Sequence, residues 1–137
     1  MTGGYKERMS AQQAPIDNAK TYQEKVKSIL PWLEEKKATD IVALDVKTMN
    51  SLTEAVLIVS ATTIRHAQAL ADGLMQHFGE QGFEVLGMEG YQMGTWILID
   101  GNDVVIHIFQ EQARSFYHLE GLWSGAPRLD ANTGSVS

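Results

Sequence analysis

Hydrophobic periodicity along this chain alternates between helical and strand spacing in the order α-β-β-α-β-β-β-α. That order predicts an α/β fold: a single domain with a mixed β-sheet of about five strands flanked by helices. Size and composition agree, because 137 residues with 44% hydrophobic and 20% charged content can bury one core and leave little room for a second. The chain has no cysteine, which excludes a disulfide scaffold, a thiolate zinc site and a cysteine nucleophile. Its longest apolar runs, such as Val104 to Phe109, are far too short for a bilayer. Met1 to Ser10 carries no apolar leader pattern, so a soluble, cytoplasmic protein is expected.

Each element has its own signal. Residues 1–15 are polar and aperiodic, end at Pro15 and read as a disordered tail; 16–126 read as the domain and 127–137, rich in Gly, Ser and Asn, as a second tail. Ala19, Tyr22, Val26, Ile29, Leu30 and Leu33 recur at helical spacing, with Asp17 as the expected cap. Pro31 is expected to kink or split this helix, because it lacks a backbone donor. Asp40 to Val46 and Glu54 to Ala61 read as strands, the second more deeply buried. Thr62 or Thr63 caps a strongly amphipathic helix with Ala67, Leu70, Ala71, Leu74, Met75 and Phe78 on its apolar face, ended by Gly79 and Gly82. A third strand is expected near Phe83 to Met88. Trp96 to Asp100 and Asp103 to Phe109 then form a hairpin about Gly101-Asn102. A last helix, about Glu111 to Leu122, places Ala113, Phe116, Leu119 and Trp123 on one side.

Charge narrows the function. Between Asp40 and Trp123 the acids are Asp40, Asp45, Glu54, Asp72, Glu80, Glu84, Glu89, Asp100, Asp103, Glu111 and Glu120, against Lys47, Arg65 and Arg114. This segment repels phosphate backbones, so no direct DNA binding and little RNA binding are expected. It favours a basic protein surface or a cation.

Candidate chemistry concentrates on the hairpin. A two-residue turn at Gly101-Asn102 sets Asp100 opposite Asp103, Leu98 opposite Val105 and Trp96 opposite His107. One face, Ile97, Ile99, Val104, Ile106 and Ile108, is aliphatic and must be core; the other joins an indole, an imidazole and two facing carboxylates. Facing like charges cost ~0.2–1 kcal/mol, so a cationic partner is one explanation for them. Three readings compete: a solvated tip with Trp96 and His107 packed beneath a helix, a divalent-cation site of Asp100, Asp103 and His107, and a protein-binding face anchored by Trp96. The last predicts that truncating Trp96 costs binding rather than stability. Arg65 and His66, in the first turn of the second long helix, either meet an anionic partner or pair within the domain. Ser60, Thr62 and Thr63 lack the glycine-rich loop of a phosphate site, and no Gly-x-Ser-x-Gly elbow exists. His77 and His118 are expected on helix surfaces.

The runs DIVALDV, IRHAQALAD (Ile64 to Asp72) and WILIDGNDVVIHIFQEQARSFYHLEGLW (Trp96 to Trp123) resemble the ribosomal silencing factor, or Iojap, family over about 100 residues. The resemblance implies a nucleotidyltransferase-like fold without that active site, no enzymatic activity, and no cofactor or metal. It implies binding to a basic protein on the intersubunit face of the large ribosomal subunit, which blocks joining by the small subunit and represses translation under nutrient limitation. Matching positions are Asp45, Arg65, His66, Asp72, Glu89, Gly90, Trp96, Asp100, Asp103, His107, Arg114, Tyr117, Glu120 and Trp123. Of these, Trp96, Asp100, Asp103, His107, Arg114, Tyr117, Glu120, Arg65 and His66 are the expected partner-binding residues. Two departures are Gly101-Asn102, where the family has a bulky residue and then Gly, and Ala67, where a β-branched residue is common. A metal-dependent nucleotidyl or phosphotransfer enzyme is the alternative, and a homodimer hiding the same face is a further expectation.

Overall fold

A computed structural model describes residues 20–49 and 52–130, so the expected tail 1–15 and the expected cap Asp17 lie outside the described residues. Helix α1 (Tyr22–Glu35) starts instead at Thr21, whose hydroxyl accepts from the Glu24 N–H while the Glu24 carboxylate accepts from the Thr21 N–H. Pro31 neither splits nor ends it, and sits on the exposed side of a continuous helix. Strands β1 (Thr39–Asp45) and β2 (Ala55–Ala61) follow, and all seven β2 residues are buried. Helix α2 (Ile64–Gln81) is capped by the Thr63 hydroxyl and ends at Gly82 in the left-handed conformation, φ 77°.

The chain then departs from expectation. Phe83 and Val85 turn into the core, the Phe83 N–H bonding back to the Phe78 carbonyl, so only Gly87–Glu89 remains as strand β3. Strands β4 (Trp96–Asp100) and β5 (Val104–Gln110) make the hairpin. The last helix is two pieces: α3 (Glu111–Tyr117) and a 3-10 turn (Leu119–Trp123), divided by His118 at φ 51°. This break changes the helical phase, so Phe116 points to solvent (81% exposed) rather than sharing a buried side with Leu119.

The sheet order is β1-β2-β5-β4-β3, antiparallel except for the central β2–β5 pair, which is parallel. Helices α1 and α2 cover one face, where Ile97, Ile99, Val104, Ile106 and Ile108 join the main core as expected. They meet closely: a Cβ on Gly73 of α2 would lie 2.6 Å from the Trp32 ring of α1. The opposite, outer face carries a smaller core of Leu44, Val46, Val56, Ile58, Phe109 and Leu119 beneath α3 and the 3-10 turn.

Beyond the boundary expected at 126, Pro127–Asp130 run against β1. The Pro127 carbonyl accepts from the Asp45 N–H at 2.9 Å and the Asp130 carboxylate from the Ala43 N–H at 3.0 Å. These residues belong to the packed structure, because they satisfy backbone donors on the β1 edge.

Candidate interaction face

The β4–β5 register decides what the outer face can do. Trp96 lies opposite Phe109, Leu98 opposite His107 and Asp100 opposite Val105. The turn is therefore Asn102-Asp103, not Gly101-Asn102, and the expected facing of Asp100 and Asp103 does not occur. Two local facts produce the shift. Asn102 adopts the left-handed conformation (φ 74°), and Gly101 is buried where a Cβ would lie 2.8 Å from the Val104 carbonyl oxygen. The carboxylates have separate local roles. Asp100 accepts from the Asn102 N–H at 2.9 Å and braces the turn. Asp103 binds the buried Lys25 ammonium of α1 at 3.0 Å. Among the described residues no cluster of three His, Asp or Glu side chains could hold a metal ion, which removes the geometry of the Asp100–Asp103–His107 cation site.

Trp96 and His107 do meet, diagonally. The Trp96 Nε1–H donates to His107 Nδ1 at 3.0 Å, which fixes the imidazole as the Nε2–H tautomer. Burial alone pushes the His107 pKa down to about 4, so the ring is neutral near pH 7. The Trp96 ring stacks on Phe109 with centroids 5.0 Å apart and tilts against Tyr117 at 4.7 Å. Trp96 is thus half-buried within its own domain, which corrects the expectation that truncating it leaves stability intact.

Arg114 and Glu120 are also committed internally. The buried guanidinium donates from Nε and Nη2 to Glu120 Oε2 (3.0 and 2.7 Å), and from Nη1 to Ser60 Oγ (3.0 Å) and the Asp40 carbonyl. Burial is the largest single influence on the Glu120 carboxyl and acts to raise its pKa, but the hydrogen bond from Arg114, a backbone N–H and the nearby charges of Arg114 and His118 together hold it below its ordinary value. His66 bridges two helix ends: Nδ1 accepts from the Thr62 N–H at 3.1 Å and Nε2–H donates to the Lys36 carbonyl at 3.0 Å. Arg65 is exposed and makes no ion pair with a described residue. His77 is not a free surface histidine: it lies between α1 and α2, 2.9 Å from Ser28 Oγ and beside Trp32.

An apolar stretch remains accessible on the outer face. Leu98 and Val105 are half-buried on this face, Tyr117 is 46% exposed over Trp96, and Phe116 packs edge-on against Tyr117. Glu89, paired with Leu98, and Asp100, paired with Val105, give this surface an acidic border. Leu98, Val105 and Phe116 were missing from the expected partner-binding residues; alternation alone places Leu98 and Val105 on this face beside Trp96.

A family model described as "Ribosomal silencing factor during starvation" matches residues 19–136. The chain belongs to this family. A ribosomal silencing factor of Halalkalibacterium halodurans is 38% identical over 98 residues, 72% of this chain and 84% of that protein. A crystal structure of a Chromobacterium violaceum protein superposes with a TM-score of 0.74 at 33% identity, covering 77% of this chain and 88% of that one. More distant family relatives include the chloroplastic Iojap protein of Zea mays, 33% identical over 103 residues, 75% of this chain and 45% of that protein. A Mus musculus protein named "Mitochondrial assembly of ribosomal large subunit protein 1" is 27% identical over 99 residues, 70% of this chain and 43% of that protein. At the turn of this chain Asn102 takes the left-handed position and Gly101 the crowded one.

Proposed function

We propose that this protein binds the large ribosomal subunit through a basic protein on its intersubunit face, and that the bound domain blocks joining by the small subunit and represses translation. The observation that carries the reading is the apolar outer-face surface of Leu98, Val105, Phe116 and Tyr117 bordered by Glu89 and Asp100, within a segment where Arg114 is neutralised internally. An apolar centre with an acidic rim matches a basic protein surface and disfavours RNA. Family membership and the name of the mouse relative support a ribosomal, large-subunit target. The reading assigns the protein no catalysis and places its action in the cytoplasm. Sucrose-gradient sedimentation with purified subunits tests it: co-sedimentation with the large subunit alone and fewer joined ribosomes are expected. Equal binding to both subunits, or unchanged joining at saturating protein, refutes it.

A further inference from the structure

The segment between Arg114 and Glu120 contains the two exposed aromatics of the outer layer, Phe116 and Tyr117. It is closed at its base by one side chain. Helix α3 stops at Tyr117, the chain reverses through His118 at φ 51°, and Glu120 returns to meet the guanidinium of Arg114 through two hydrogen bonds to one oxygen. The same guanidinium reaches Ser60 at the end of β2 and the Asp40 carbonyl on β1, so the knuckle is tied to two strands as well as to itself. Arg114 is 8% exposed, too deeply covered to contact a partner directly.

A seven-residue helix ending in a left-handed residue has little stability of its own. Its two aromatics can present a fixed surface only if something outside the helix holds them. We infer that the Arg114–Glu120 pair is a positioning clip: it pre-orders the Phe116–Tyr117 knuckle, so that binding does not have to order it. This rests on the function proposed above and adds which residues set its affinity without touching the partner.

The test is a double-mutant cycle read by large-subunit sedimentation, with thermal melting in parallel. Ordering two large side chains on binding corresponds to about a tenfold affinity loss, so Glu120→Ala should weaken binding by roughly that factor. Glu120→Gln, which keeps an acceptor for Arg114, should recover much of it. In a Phe116→Ala/Tyr117→Ala background the same Glu120→Ala change should alter affinity less than about twofold, because the groups it positions are gone. An equal loss in both backgrounds makes Glu120 a direct contact or a general stabiliser and overturns the inference. Unchanged affinity of Glu120→Ala in the parent overturns it too. Failure of the unmodified protein to bind the large subunit refutes the proposed function instead.

Discussion

Replacing Trp96 by alanine removes three things at once. The indole packs against Phe109 at 5.0 Å and Tyr117 at 4.7 Å, and its N–H satisfies His107 Nδ1. A fully buried tryptophan costs ~3–5 kcal/mol on truncation; Trp96 is half-buried, so about half of that, ~2 kcal/mol, applies. Leaving the His107 acceptor unpaired in a dry site adds ~1 kcal/mol. The total of ~3 kcal/mol lowers the melting temperature of a domain this size by roughly 10–12 °C. Trp96→Phe keeps the stacking and loses only the donor, so it should lose ~1–1.5 kcal/mol. Calorimetric melting of the three proteins reads both values. A Trp96→Ala melt within about 3 °C of the parent refutes the reasoning; the ring then contributes nothing to its own domain.

The two hairpin acids should now behave differently. Asp103→Asn strips the carboxylate from Lys25, which is only 5% exposed, and should destabilise by ~2–3 kcal/mol, whereas Asp100→Asn keeps a side-chain acceptor for the Asn102 N–H and should stay within ~0.5 kcal/mol. Equal losses in urea titrations refute this division of roles. Acid should also destabilise the domain before its carboxylates titrate. The pKa of His107 is lowered on folding, so the unfolded chain takes up its proton first, and stability present above about 6.5 is lost as pH falls towards about 4. Between pH 7.5 and 5 this amounts to ~2 kcal/mol, with His77, also lowered by burial, acting in the same direction. His107→Gln should flatten the profile; a slope as steep as the parent's assigns the effect to His77.

The order of elements and the two faces of β5 were legible because alternation and helical spacing report burial directly. Ile97, Ile99, Val104, Ile106 and Ile108 announced the main core, and Thr62 or Thr63 at one end and Gly79 and Gly82 at the other bounded α2 from sequence to within a turn. The structure chooses Thr63 and runs the helix through Gly79 to Gly82. The hairpin register was not legible, since two adjacent dipeptides, Gly101-Asn102 and Asn102-Asp103, each suit a tight turn. What chose between them was tertiary: Phe78 and the Val104 carbonyl crowd Gly101, and Lys25, 78 residues away in sequence, holds Asp103. That one-step shift separated the supposed carboxylate pair. The commitment of Arg114 to Glu120 was hidden for a similar reason, because it depends on the chain reversal at His118, a non-glycine residue in a left-handed conformation that carries no strong sequence signal.

The parallel pairing of β2 with β5 has a consequence for how the chain is made. β2 is buried along its whole length and apolar except for Ser60, and one of its two neighbours is synthesised about fifty residues later, which at typical elongation rates is ~2–10 s. Through that interval Ala55–Ala61 can pair with β1 on one edge only, leaving open the other edge, where Ile106, Ile108 and Phe109 will come to lie. Non-local strand closure of this kind is slow, and an open apolar edge is a template for intermolecular pairing. The nascent chain should therefore lean on holdase chaperones until Gln110 has emerged.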